Sequence, residues 1–291
     1  MKNKPQEYFD PKPTKYPFPE QTDQHYLKVK KDNGLVFDEK YPYIDRSKRF
    51  RFQDKFVRFL LYFVGFLIAK IALGLKVKGK KYIKEHKKEL KKGVVSVSNH
   101  INLFDYMAIL YIAKPIKPRT LVWAKNIKGE NSWFIRHVGG IPIPEDNLKG
   151  GLCYYKVVNE FLAKENGWLH IYAEGSMWEY YRPIRPFKRG AAFFAVKNNK
   201  PILPIAFTYR KCGWLRRFLF KTNASVTLNI GELVYPNLEL DEKEAIKDLT
   251  IRAHDEVCKL AGFKPGENIY NPIFNNDKKI NYYWAINDSI K

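Results

Sequence analysis

One stretch constrains the chain more than any other: Val94–Asp105, VVSVSNHINLFD. Its first half is β-branched and small, which predicts a buried strand over Val94–Ser98. Asn99 and His100 follow, and Asp105 stands five residues beyond the histidine. The run from Leu103 to Ala113 is apolar enough for a helix packed on a sheet. On one continuous helix, residues five apart point about 140° from each other. A strand, a tight turn and a helix start can instead bring the carboxylate back onto the imidazole. An imidazole oriented by a buried carboxylate is a general base. The competing reading is a structural histidine beside an aspartate that caps a helix, and with six histidines a chance His-x4-Asp would surprise nobody.

The chain has 291 residues, 45% of them hydrophobic, which fits one large α/β domain with appendages. Lys and Arg number 52 against 30 Asp and Glu, a net charge of +22. Such an excess implies a polyanionic partner, either nucleic acid or an anionic membrane. The three cysteines, Cys153, Cys212 and Cys258, are far apart and show no metal spacing, so they read as reduced thiols in a cytosolic setting. No metal and no cofactor are expected. The opening MKNKPQEYFDPKP has no apolar core of a signal peptide.

Residues 1–50 hold six of the 17 prolines and no helical period, which predicts an extended Pro/Tyr-rich arm laying aromatics on the body, or else a disordered tail. Residues 51–76 predict a hydrophobic membrane-associating helix. Its uninterrupted apolar run, Phe59–Ala69, is 11 residues, whereas a spanning helix needs roughly 20. Arg58 and Lys70 can snorkel and extend it. Basic residues flank it on both sides, so the charge asymmetry of a spanning segment is missing. A helix lying in the interface is expected, with spanning and core helices as alternatives. The neighbouring Lys76–Lys92 holds nine lysines, and an apolar helix beside a polybasic run is the pattern of anchoring to anionic lipid. No nucleic-acid-binding signature is present, so the membrane is the expected polyanion.

Further on, Thr120–Ala124 reads as a strand ending at Lys125, and Gly139-Gly140 as a turn into a short strand. Leu148–Lys164 reads as a helix and Trp168–Ala173 as a strand. Glu174-Gly175-Ser176 follow that strand directly, as site-lining turns do in α/β folds. The next loop, MWEYYRPIRPFKRG, carries Arg182, Arg185, Lys188 and Arg189, which can grip a phosphate or simply be solvated. Helix Ala191–Asn198 and strand Ile202–Phe207 come next. Arg210–Lys221, RKCGWLRRFLFK, is a second membrane contact or a hairpin covered by its own aromatics. Ser225–Ile230 is a strand. Asp241–Gly262 is a helix capped by Asp241 and Glu244, and an aromatic, Asn-rich tail occupies 264–291.

Four blocks now stand in order: Asn99-His100-x4-Asp105; Gly139-Gly140-Ile-Pro-Ile; Glu174-Gly175-Ser176 with Phe187-Lys188-Arg189-Gly190-Ala191; and Pro201-Ile202-Leu203-Pro204. Over about Val77–Phe207 the chain resembles the glycerolipid acyltransferase family, specifically the 1-acylglycerol-3-phosphate (lysophosphatidic acid) acyltransferases. The resemblance implies a single α/β domain, 77–263, with a mixed central sheet flanked by helices, monotopic at the cytoplasmic face of the cell membrane. It implies acyl transfer from acyl-carrier protein or coenzyme A to a lysophospholipid. By position His100 is the base and Asp105 its partner, while Asn99, Lys125, Glu174, Gly175 and Ser176 line the substrate site and Pro204 the acyl side. Two departures stand out. Glu145 and Met177 occupy places where the family usually carries phosphate-binding arginines. Either Arg182, Arg185 or Lys188 substitutes, or the acceptor is a different lysolipid. Rival readings are a lipid hydrolase and a non-catalytic basic binding protein.

Overall fold

A computed structural model describes residues 9–11, 22, 24–25, 32–145 and 147–273. In chain order the elements are α1 (Lys48–Leu60), a π-helical turn (Leu61–Gly65), α2 (Phe66–Ala72), β1 (Lys76–Lys78), α3 (Lys80–Glu85), α4 (Lys87–Leu90), β2 (Val94–Ser98) and α5 (Asp105–Ile112). There follow β3 (Arg119–Trp123), α6 (Ala124–Lys128), α7 (Ser132–His137), β4 (Gly140–Ile143), α8 (Leu148–Ala163) and β5 (Trp168–Tyr172). The chain continues through α9 (Gly190–Lys197), β6 (Ile202–Lys211), α10 (Trp214–Phe220), β7 (Ala224–Ile230) and α11 (Glu242–Leu260).

The strands form one sheet in the order β1-β7-β6-β2-β5-β3-β4. Every neighbouring pair is parallel except β6 with β7, so the sheet is mixed. β2 sits between β5 and β6 with all five residues buried, which is why its sequence is nearly all β-branched or small. Alternation along the strands divides the core between two faces. Val95, Val97, Leu169 and Ile171 pack with α8, α9 and α11; Val94, Trp168, Leu203 and Ile205 pack with α5 and the α1–α2 run. The helix ends follow the local chemistry: Asp241 Oδ1 accepts the Glu244 N–H at 3.0 Å and Asn147 Oδ1 the Gly150 N–H at 2.7 Å. The expected α/β domain with a mixed sheet between helices is therefore what the chain forms.

The arm residues next to α1 pack on the body. Phe37, Tyr41, Tyr43 and Ile44 are buried in the core shared with α8. The earlier parts of the arm and residues 274–291 of the tail lie mostly or wholly outside the described residues.

The apolar run differs from its sequence reading in one respect. Arg58, expected to snorkel, is buried: its Nε donates to Asp54 Oδ1 at 3.0 Å and its Nη1 to the Pro118 carbonyl at 3.0 Å. A buried guanidinium needs such partners, because an unpaired one costs several kcal/mol. The inner face of the run packs on α5, where Phe66 stacks on Tyr111 at 3.8 Å. Its outer face leaves Phe52, Phe56, Phe59, Phe63, Leu67 and Ile71 exposed, a stripe at helical spacing. No described helix is long and apolar enough to cross a membrane. Arg210–Lys221 is likewise not a self-covered hairpin. β6 extends to Lys211, and the rest is α10, which buries none of its own residues.

Candidate active site

The site forms where β2 and β5 end. Such a carboxyl edge of parallel strands is where α/β sheets place ligands. Asn99 ends β2 in a particular way. Its side-chain amide donates to the Phe207 carbonyl at 2.9 Å and its Oδ1 accepts the Phe207 N–H at 2.8 Å. The side chain thus copies one rung of the ladder to β6 and frees the backbone to turn. Asn99, expected in the substrate site, is buried and its side-chain bonds go to β6.

His100 is the next residue. Its Nδ1 lies 3.2 Å from Asp105 Oδ2. That same oxygen accepts the backbone N–H groups of Ile101 at 2.8 Å and Asn102 at 2.9 Å. An ionised carboxylate only accepts, so the network assigns the proton of the neutral imidazole to Nδ1. Nε2 is then the ring nitrogen left to act as a base. The imidazole is 21% exposed and the Asp105 side chain 1%. Burial pushes the Asp105 carboxyl above its ordinary value, and the bonds from His100, Ile101 and Asn102 pull it part of the way back. Tyr172, the last residue of β5, stacks on the imidazole at 3.8 Å and 15°.

Glu174 ties the two strand ends together. Its Oε2 accepts the His100 N–H at 3.1 Å and an Arg185 Nη2 proton at 2.8 Å, and its Oε1 accepts the Arg185 N–H at 2.8 Å. Arg185 also donates from Nη1 to Ser176 Oγ at 2.6 Å and to the Thr22 carbonyl at 2.7 Å, and its guanidinium covers the Trp178 ring. Arg185, Glu174 and Ser176 are all buried. The arginine expected to hold a phosphate is spent on protein groups, and it fixes the loop that carries Glu174. Arg182 lies with its guanidinium 4.9 Å from the Phe263 ring. Gly175 is needed as glycine: its φ is +81°, and a Cβ there would come within 2.6 Å of Lys188 Cε. Lys188 therefore passes directly over the turn that follows β5.

Lys125 is exposed in the first turn of α6, which follows β3 directly, and its Nζ sits 5.0 Å from the Trp123 ring centre. Trp123 donates to Glu145 Oε1 at 3.0 Å and stacks on His25 at 4.0 Å. Glu145, in an arginine's place, is thus engaged by an indole. Residues of the arm reach this edge unannounced by the sequence: Thr22 through Arg185, Gln24 by accepting from Trp178 Nε1 at 3.0 Å, and His25 through Trp123. A second unread feature lies beneath His100. Trp168 Nε1 donates to Ser96 Oγ at 2.7 Å, Ser96 Oγ meets His170 Nδ1 at 2.9 Å, and His170 Nε2 lies 3.4 Å from Ser98 Oγ. Burial, with the nearby His100, pushes His170 down to about 3, so it is neutral. The Val-Ser-Val-Ser alternation of β2 and a histidine inside an apolar strand were the signals for it. Among the described residues, no three His, Cys, Asp or Glu side chains are grouped to hold a metal ion.

This edge, with an imidazole backed by a buried carboxylate, can take a proton from a hydroxyl. Residues 74–208 match the family model described as Acyltransferase. The chain resembles the glycerolipid acyltransferases, as the four sequence blocks imply. Among individual proteins, the human 1-acyl-sn-glycerol-3-phosphate acyltransferase beta is 25% identical over 145 residues, which are 48% of this chain. The chain spans about half the length of that relative, 50%. Among solved structures, the 1-acyl-sn-glycerophosphate (LPA) acyltransferase PlsC from Thermotoga maritima aligns with a TM-score of 0.49 at 18% identity, over 76% of this chain and 86% of that one.

Proposed function

We propose that this chain is an O-acyltransferase moving a fatty acyl group from a thioester donor, acyl-ACP or acyl-CoA, to the hydroxyl of a lysophospholipid. The observation that carries the reading is the 3.2 Å contact between His100 Nδ1 and the buried Asp105 at the carboxyl edge of β2. His100 Nε2 removes the hydroxyl proton as the oxygen attacks the thioester carbonyl. Asp105 holds the tautomer and stabilises the imidazolium, which returns its proton to the departing thiolate. The acceptor is expected to be 1-acylglycerol-3-phosphate by likeness to the human relative's printed activity. The run 51–76 serves as the membrane-associating helix, its exposed stripe turned to lipid at the cytoplasmic face of the cell membrane. The arm ends near residue 50, the acyltransferase domain occupies 77–263 and the tail 264–291.

His100→Ala should lower turnover at least ~100-fold while lysolipid binding survives. A near wild-type rate would sink the reading. A second acceptor reading has its own support. Glu145 is bonded to Trp123, Met177 carries no charge and Arg185 is buried, which leaves Lys125, beside Trp123, and Lys188, over Gly175, as the cations expected to meet a headgroup. Turnover of one labelled acyl donor across a panel of lysolipid headgroups decides between the acceptors.

A further inference from the structure

Several segments meet at the edge of the sheet that carries His100. β2, β5, β3 and β6 reach it with their C-terminal ends. β7 and β1 run the other way and start from it. The α1–α2 run delivers the chain to β1 at this edge, and α10 fills the connection from β6 to β7. α10 has seven residues, too few to hold helical form alone in water. Trp214 is 79% exposed and Phe218 76%, and Leu215 and Leu219 lie more than half in solvent.

Arg216 holds α10 in place. Its Nε donates to the Ile71 carbonyl at 2.8 Å, in the last turn of α2, and its Nη1 to Ser225 Oγ at 3.2 Å on β7. Gly74 makes room for this, because a Cβ there would come within 2.6 Å of Arg216 Nη1. The Val226 N–H also donates to the Leu73 carbonyl at 3.0 Å. Arg216 therefore joins α10 to the end of the α2 stripe at Leu67 and Ile71, and the Val226–Leu73 bond fixes β7 beside that end.

We infer that α10 and α2 together form a lipid-docking platform that sinks into the headgroup–acyl boundary of an anionic bilayer and holds the His100 edge against it. The purpose of the platform rests on the lysolipid reading above, whereas its binding to lipid does not. Charge selects the occupant. No acidic residue lies between Asp54 and Glu85 or between Glu179 and Glu232. Lys70, Lys76, Lys211, Arg217 and Lys221 are exposed around the apolar centre. A basic rim around an apolar centre suits anionic headgroups, and it would repel a second copy of itself. A tryptophan at the polar–apolar boundary is the residue that such interfaces favour.

The test is flotation of the full chain with phosphatidylcholine vesicles, with and without roughly 30% phosphatidylglycerol, at roughly 0.1 M salt. The wild type should float with the anionic vesicles. Trp214→Ser/Phe218→Ser should partition at least ~tenfold more weakly, with unchanged circular dichroism and melting temperature, since neither ring is buried. Its turnover of a short-chain, monomeric lysolipid should match the wild type, while turnover of vesicle-embedded lysolipid falls. Equal flotation of variant and wild type, equal wild-type binding to neutral vesicles, or a change in self-association in place of vesicle binding would each overturn the platform. Absence of turnover on either substrate with vesicle binding intact would leave the platform standing and refute the acyltransferase reading.

Discussion

Removing the Arg185 guanidinium leaves Glu174 as a buried carboxylate without its charged partner. Arg185→Ala should therefore cost about 3–5 kcal/mol by chemical denaturation. His100 feels the loss through its backbone N–H on Glu174 Oε2. The His100–Asp105 contact was legible because a strand-turn-helix pattern admits only a few ways for a carboxylate five residues away to return. Arg185 was not legible. An arginine in a basic loop has the same sequence signature whether it faces solvent or turns inward, and what turns it inward includes the Thr22 carbonyl, 163 residues away. The Asn99 clasp was hidden for a related reason: its partner Phe207 is 108 residues distant on another strand.

Elements depend on similarly tight approaches. The Phe37 carbonyl, in the part of the arm that precedes α1, lies against Gly150 on α8, where a Cβ would come within 2.0 Å of it. The Tyr43 hydroxyl donates to the same carbonyl at 2.9 Å. Gly150→Ala should displace this part of the arm at a cost of about 1–3 kcal/mol. Limited proteolysis should then cut within 32–47 faster than in the wild type, with α8 itself intact. Strands and long helices were readable from periodicity, including the capped α11. The apolar run was half readable. Its composition marked a helix with a greasy exposed side, but composition alone cannot place Asp54 four residues before Arg58 inside a packed interface with Pro118.

At the scale of the molecule, buried histidines weaken the fold as pH falls. His170 sits near 3 in the fold against 6.5 for an ordinary histidine. As pH falls below 6.5 the unfolded chain binds a proton that the folded chain refuses, so stability drops by about 1.4 kcal/mol per pH unit until about 3. His254, also lowered by burial, acts in the same direction. Asp105 acts oppositely: its raised carboxyl favours the fold most at low pH, and that contribution declines as pH rises from 3.8 through its folded value. Melting temperatures between pH 7 and 5 should fall in the wild type and fall less steeply in His170→Gln.

β6 also works as a ruler. It is clasped at Phe207 by the residue preceding His100, and it runs four further residues to Lys211 before the α10 turn begins. At a strand rise of roughly 3.3 Å per residue, that sets a span of about 13 Å along the strand. Lengthening the strand there by two residues would preserve which side chains face which way, yet shift α10 about 7 Å farther from the imidazole. The separation between α10 and the imidazole is thus written as a count of residues.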